Sequence, residues 1–285
     1  MNEFIIFVKD NDEKVEKTAK SIINGIDKNK YKVFLTKRHA KALKLPSLAG
    51  NEHSFKNASF VVAVGGDGTM LRCARTFASY EIPIIGINLG RRGFLTEIKI
   101  SQFNKILNDL FKGKYKIDER MMLDVEIIRN NKTIAKLSAL NDAVIGKNGI
   151  ARIIRMSAYV SGKIMTSYAG DGLIIATPTG STGHNLAANG PILDPSVSAF
   201  ILTPICPLSI TNKPVVISSK EKIEITIDDT PKGIEAILTV DGQSTIKLEK
   251  NDKIIIKSYE HRTKFIRMAK YNFFSVLKEK LNWGQ

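Results

Sequence analysis

The chain has 285 residues, 43% apolar and 25% charged, which suffices for two modest domains and excludes collagen-like, disordered and low-complexity classes. A formal charge of +15 concentrates polyanions such as nucleotides near the surface; the lysines are scattered, however, without a nucleic-acid module or aromatic platform, so no nucleic-acid partner is expected. The longest nearly uncharged apolar stretch, Ala199 to Leu208, is interrupted by Pro204 and Pro207 and reaches about half the length of a bilayer span, and Met1 to Val8 lacks a cationic leader, so the expected setting is cytoplasmic with no membrane association.

In chain order, Phe4 to Val8 reads as a strand, Glu13 to Ile26 as an amphipathic helix, and Tyr31 to Leu35 and Phe60 to Val64 as strands. A helix over Met70 to Ser79, a strand over Ile82 to Ile87 and a helix over Gln102 to Phe111 follow. This alternation predicts an α/β N-terminal domain, residues 1–119, built on a parallel sheet whose ligands sit beyond the carboxyl ends of its strands. Residues 120–265 change texture. Leu123 to Ile128, Asn130-Asn131 and Thr133 to Leu137 form one predicted hairpin, and Ile153 to Val160, Ser161-Gly162 and Lys163 to Tyr168 another. With further short strands over Lys222 to Ile227, Ala236 to Val240, Thr245 to Leu248 and Lys253 to Ile256, the expectation is a second, mainly β domain resembling a sandwich. Residues 266–285 revert to helical spacing over Phe273 to Trp283, and this helix is expected to return to the first domain.

Cys73 and Cys206 lie in apolar or Pro-flanked settings outside any Cys-x-x-Cys motif, which predicts two buried free thiols. His39, His53, His184 and His261 show no zinc spacing, so the protein itself is expected to supply no metal ligands.

Two clusters carry the chemistry. Val61 to Val64 runs into Gly65-Gly66-Asp67-Gly68-Thr69 and then a helix, a place where glycines allow unusual φ values and let N–H groups approach a phosphate. Asp67 has two readings: a turn stabiliser or helix cap, or the carboxylate that orients an attacking hydroxyl and takes its proton. The absence of a closing Lys-Ser or Lys-Thr excludes a Walker loop. The second cluster, Gly170 to Asn185, delivers an apolar strand into a loop of hydroxyls and glycines, which suits phosphate, ribose and base edges or simple capping. Asn141-Asp142 and Asp241-Gly242 also read as turn pairs.

Taken in this order with Gly86 to Gly90, Gly93 to Thr96, Gly190 to Leu193, Leu202 to Pro207 and Asp241-Gly242-Gln243, these segments resemble the NAD kinase family. The resemblance implies a phosphotransferase that moves the terminal phosphoryl group of ATP, or of a related donor, to the 2′-hydroxyl of the adenosine ribose of NAD. It implies Asp67 as general base and Gly65, Gly66 and Thr69 as the phosphate cradle. Substrate contacts are implied for Gly68, Arg72, Asn141, Asp142, Arg152, Asp171, Thr182, Gly183, His184, Asn185, Ala187 and Gln243. Mg²⁺ or another divalent cation is expected to arrive with ATP, and the protein to be a homodimer or homotetramer. Gly183-His184 stand where the family usually has Ala-Tyr, Ala187 where Ser is common, Asn189 where Gly is common and Arg92 where Leu is frequent, while Asp142 shortens the usual Glu. These departures bear on NAD versus NADH preference. The Gly-Gly-Asp-Gly turn alone also fits a diacylglycerol-type lipid kinase, and the altered pair leaves a non-catalytic dinucleotide sensor as a further alternative.

Overall fold

A computed structural model describes residues 2–90, 93–149, 152–231, 233–268 and 271–282. The chain divides into two compact units, residues 1–119 with 263–285, and residues 120–262.

The first unit contains, in order, β1 (Asn2–Val8), α1 (Glu13–Asn24), β2 (Tyr31–Leu35), α2 (Lys37–Ala42), α3 (Glu52–Asn57), β3 (Val61–Val64), α4 (Asp67–Phe77), β4 (Ile84–Asn88), β5 (Ile98–Lys99), α5 (Ile100–Phe111) and β6 (Lys116–Arg120). Its sheet has seven strands in the order β2-β1-β3-β4, then the C-terminal strand Thr263–Arg267, then β6, with β5 pairing β4. The pairs β1–β2, β1–β3 and β3–β4 are parallel, as the strand–helix alternation predicts. In α1 the buried residues Val15, Ala19, Ile22 and Ile23 lie on one stripe, and Asp12 caps the start by accepting from the Val15 N–H. That stripe joins Phe4, Ile6, Val62, Val64, Ile85, Ile87, Phe103 and Leu107 in one core.

The second unit is a β-sandwich. It comprises β7 (Leu123–Arg129), β8 (Lys132–Ala139), β9 (Asp142–Asn148), β10 (Ile154–Val160), β11 (Lys163–Gly170), β12 (Gly172–Ala176), the short helix α6 (His184–Ala187), β13 (Ala199–Ile205), β14 (Val215–Ser218), β15 (Ile223–Asp229), β16 (Glu235–Val240), β17 (Ser244–Leu248) and β18 (Lys253–Ser258). One six-stranded sheet has the order β11-β10-β15-β18-β7-β8 and the other β14-β13-β12-β9-β16-β17. Alternate residues of both sheets, among them Val125, Ile145, Ala158, Leu173, Leu202, Ile225, Leu238 and Ile254, share a single core. Both predicted hairpins form: Asn130 and Asn131 (φ 51° and 59°) connect β7 to β8, and Ser161 and Gly162 (φ 47° and 81°) connect β10 to β11.

The chain then returns as β19 (Thr263–Arg267) and α7 (Phe273–Leu281). Residues 263–265, placed from sequence in the β-rich domain, are instead the start of β19, a five-residue strand too short for its alternation to stand out. α7 ends at Leu281, and Trp283 lies outside the described residues, as does Arg92. Of the two thiols Cys73 is buried, and burial pushes its pKa well up; Cys206, expected to be buried, is exposed in the turn after β13. No helix among the described residues is long and apolar enough to cross a membrane.

Candidate active site

In the first unit, β3 ends directly at the glycine turn. Gly65 (φ 154°) donates its N–H to Ile87 O on the neighbouring strand, and a Cβ at this position would overlap the Thr69 side chain. The conformational demand falls on this glycine alone, because Gly66 is extended (φ −98°, ψ −169°) and Gly68 lies inside α4. Gly66 precedes α4 without a capping side chain, and its carbonyl accepts the N–H groups of Thr69 and Met70. Asp67 begins the helix, where its negative charge faces the favourable end of the helix dipole.

The Asp67 carboxylate is half-buried and clasped by the turn after β4. Oδ2 accepts the Phe94 N–H at 2.8 Å, and Oδ1 accepts those of Leu95 and Thr96 at 3.1 and 3.3 Å. Gly93 makes the clasp possible, since a Cβ there would overlap the carboxylate itself. The turn is closed by Thr96, whose hydroxyl accepts the Gly93 N–H at 3.0 Å. A carboxylate offers about four lone-pair positions. Among the described residues three are taken, two on Oδ1 and one on Oδ2, so Oδ2 retains the capacity to accept a further proton donor.

Arg72, on α4, forms an ion pair with Asp10 at the carboxyl end of β1, and Arg38 reaches the same carboxylate at 2.9 Å. Burial and the Arg38 charge hold His39 down to about 4, so its 3.6 Å approach to Asp10 is that of a neutral ring. Arg72 is thus engaged within its own unit.

In the second unit a parallel device recurs. Asp241, at φ 49° in the turn between β16 and β17, accepts the N–H groups of Leu140, Asn141 and Asp142 at 3.1, 2.8 and 3.3 Å. The sequence reads Asp241 as half of a hairpin pair and as part of a segment that resembles the family, with no role for its carboxylate; its N–H partners lie about a hundred residues away, beyond the reach of any local pattern. Asn141, Asp142, Val144, His184, Thr239, Asp241 and Gly242 line a cavity of about 340 Å³. Of the residues singled out in the sequence, Asn141, Asp142 and His184 therefore meet around one space.

Burial and the neighbouring Asp241 charge push the Asp142 carboxyl up to about 7 from an ordinary value of 3.8. A carboxyl whose pKa rises on folding contributes stability that is fully present below its unfolded value and is lost as pH rises through the folded one. Thermal unfolding should therefore show stability declining by on the order of 2–3 kcal/mol between pH 5 and pH 7 from this group. Asp142→Asn, which mimics the neutral form, should flatten that decline. An unchanged pH slope in the variant would remove the assignment.

The hydroxyl-rich loop is braced from within. Thr177 donates its hydroxyl to Leu140 O at 2.6 Å and accepts the Gly180 N–H at 3.1 Å, and a Cβ on Gly180 would overlap the Asn141 carbonyl. Asn185, expected to touch substrate, is completely buried; its amide donates to Ser181 O and Pro191 O, and its Oδ1 accepts the Thr203 hydroxyl at 2.6 Å. Its side chain braces the loop, both ends of the amide being bonded in the interior. The Asp171 carboxylate is ion-paired to Lys147 at 2.7 Å, a partner sequence reasoning did not supply. Thr182, Gly183, Ala187, Arg152 and Gln243 do not line the cavity described above; the last four are exposed.

The ATP-NAD kinase N-terminal domain model matches residues 4–115, and the ATP-NAD kinase C-terminal domain model matches residues 140–268. The chain belongs to the NAD kinase family. It is 37% identical over 285 residues to the NAD kinase of Trichlorobacter lovleyi, covering the whole of both chains. Against the NAD kinase of Geobacter sulfurreducens it is 43% identical over 228 residues, 80% of each chain. An NAD kinase from Archaeoglobus fulgidus in complex with ATP superposes with a TM-score of 0.71 at 26% identity, covering 99% of both chains. Yeast NADH kinase complexed with NADH shares the fold, with a TM-score of 0.89 at 21% identity over 100% of this chain and 88% of that one. As a member of the NAD kinase family the chain is a phosphotransferase with an alcohol acceptor; a lipid kinase or a non-catalytic sensor is not favoured.

Proposed function

We propose that the chain transfers the terminal phosphoryl group of ATP to the 2′-hydroxyl of the adenosine ribose of NAD, with Asp67 as the general base. The observation that carries the assignment of Asp67 is the clasp of three successive N–H groups, which fixes the carboxylate while leaving Oδ2 able to accept a hydroxyl proton. As the ribose oxygen bonds to the terminal phosphorus, its proton passes to Asp67 Oδ2 and the bond to the β-phosphate oxygen breaks, releasing ADP. Fixed orientation supplies the rate, because a loose phosphoryl transfer state needs alignment and electrostatic support more than covalent help.

A divalent cation is implied by this chemistry. Carried on the phosphates of ATP, it would neutralise the charge that moves during transfer. Asn141, Asp142 and the cavity they line in the second unit are the proposed dinucleotide contacts, with the His184 imidazole lining the same space.

Incubation with Mg-ATP and either NAD, NADH or diacylglycerol tests the reading, with products resolved by chromatography. NADP formation, with the lipid left unmodified, is the expected result. Phosphorylation of the lipid, or no consumption of ATP with either dinucleotide, would overturn it.

A further inference from the structure

We infer that Arg267, at the carboxyl end of β19, is a positioning residue for the Asp67 carboxylate, acting through the peptide that joins Leu95 to Thr96. The inference rests on the reading of Asp67 as the base. Arg267 is buried, with 3% of its surface exposed. Its Nη1 donates to Leu95 O at 3.0 Å, and the N–H of the same peptide group, that of Thr96, donates to Asp67 Oδ1 at 3.3 Å. One peptide plane therefore has a guanidinium on its carbonyl and the proposed base on its N–H. A cation at the carbonyl polarises the amide and strengthens its N–H as a donor, and it prevents the plane from rotating away.

The guanidinium is itself held from several directions. Nε donates to Asp118 Oδ2 at 2.9 Å, Glu97 Oε2 lies 3.7 Å from Nη1, and the Tyr271 ring centroid is 3.9 Å from the guanidinium carbon. Glu97 in turn accepts the Met268 N–H at 2.7 Å, tying the end of β19 to the turn that follows β4. This arrangement uses the planar fork of arginine, which bonds Asp118 and the Leu95 carbonyl at once. An ammonium on a flexible stem keeps the charge but cannot reproduce both bonds.

Arg267→Lys separates positioning from folding, because the cation stays beside Asp118 and Glu97. We expect kcat to fall by on the order of 10²-fold, the effect of misplacing a reacting group by about 1 Å, with KM for NAD and ATP changed less than about twofold. The same substitution in an Asp67→Asn background should change kcat by less than about twofold, since there is no base left to position. The Thr96 amide resonance should also shift in Arg267→Lys. An equal loss in both backgrounds, an unmoved Thr96 amide, or a rise in KM without a fall in kcat would overturn the inference. Near wild-type turnover in Asp67→Asn alone would instead remove the base on which it rests, a result distinguishable because it requires no change at Arg267.

Discussion

Replacing Asp67 by Asn should lower kcat by about 10²- to 10⁴-fold, the range associated with loss of a general base. The substitution is nearly isosteric, and two of the three clasping N–H groups, those of Leu95 and Thr96, converge on one oxygen, so the amide carbonyl can take that place. The amide nitrogen would then face the Phe94 N–H, donor against donor, and the position of the acceptor lone pair on Oδ2 would be lost. The fold should persist, because the carboxylate is only half-buried and the apolar core beneath α4, with Met70, Cys73, Ala74 and Phe77, is untouched. Steady-state kinetics together with a thermal melt separate the two effects. A collapsed melt with proportionate loss of activity would make Asp67 a structural cap, the other reading open from the sequence.

Gly93→Ala should be almost as damaging without touching an ionisable group. A Cβ at residue 93 would occupy the space of the Asp67 carboxylate, so either the acid or the turn must move. A displacement near 1 Å predicts a fall in kcat of about 10²-fold, with a stability loss of about 1–3 kcal/mol for the overpacked contact. Gly90→Ala, where an added Cβ meets open space in the same connection, should change turnover little. Equal activity in the two alanine variants would show that the placement of the carboxylate does not matter.

What the sequence disclosed follows the range of the forces involved. Local ones were legible. Asn130-Asn131 and Ser161-Gly162 announce their hairpins because left-handed φ values favour Asn and Gly in the turn itself. Val61 to Thr69 announces a strand, a sharp turn and a helix for the same reason. The short helices α2 and α3 escaped notice, being six residues each with no periodic stripe to read, although Thr36 and Asn51 cap them conventionally. β19 escaped as well, since its place in the sheet is set by partners far away in the chain.

The site divides along the same line. Asp67, Asn141 and Asp142 stand out in the sequence because each belongs to a compact motif. Gly93, Asp241 and Arg267 acquire their importance only through partners 26 to 172 residues distant, and no spacing rule reports such contacts. Asn185 shows the converse limit: its neighbours in sequence suggest a ligand contact, whereas its neighbours in space, Thr203 and Pro191, engage its side-chain amide inside the loop.

The proton-accepting role of Asp67 is tested most directly by single-turnover phosphoryl transfer. Enzyme in excess, wild type or Asp67→Asn, is mixed rapidly with Mg-ATP and NAD after the affinity for each substrate has been measured separately by calorimetry. We predict substrate affinities within about threefold of each other and a transfer rate reduced by at least about 10²-fold in the variant. Matching single-turnover rates in the two proteins, with equal occupancy, would contradict the role assigned to the carboxylate.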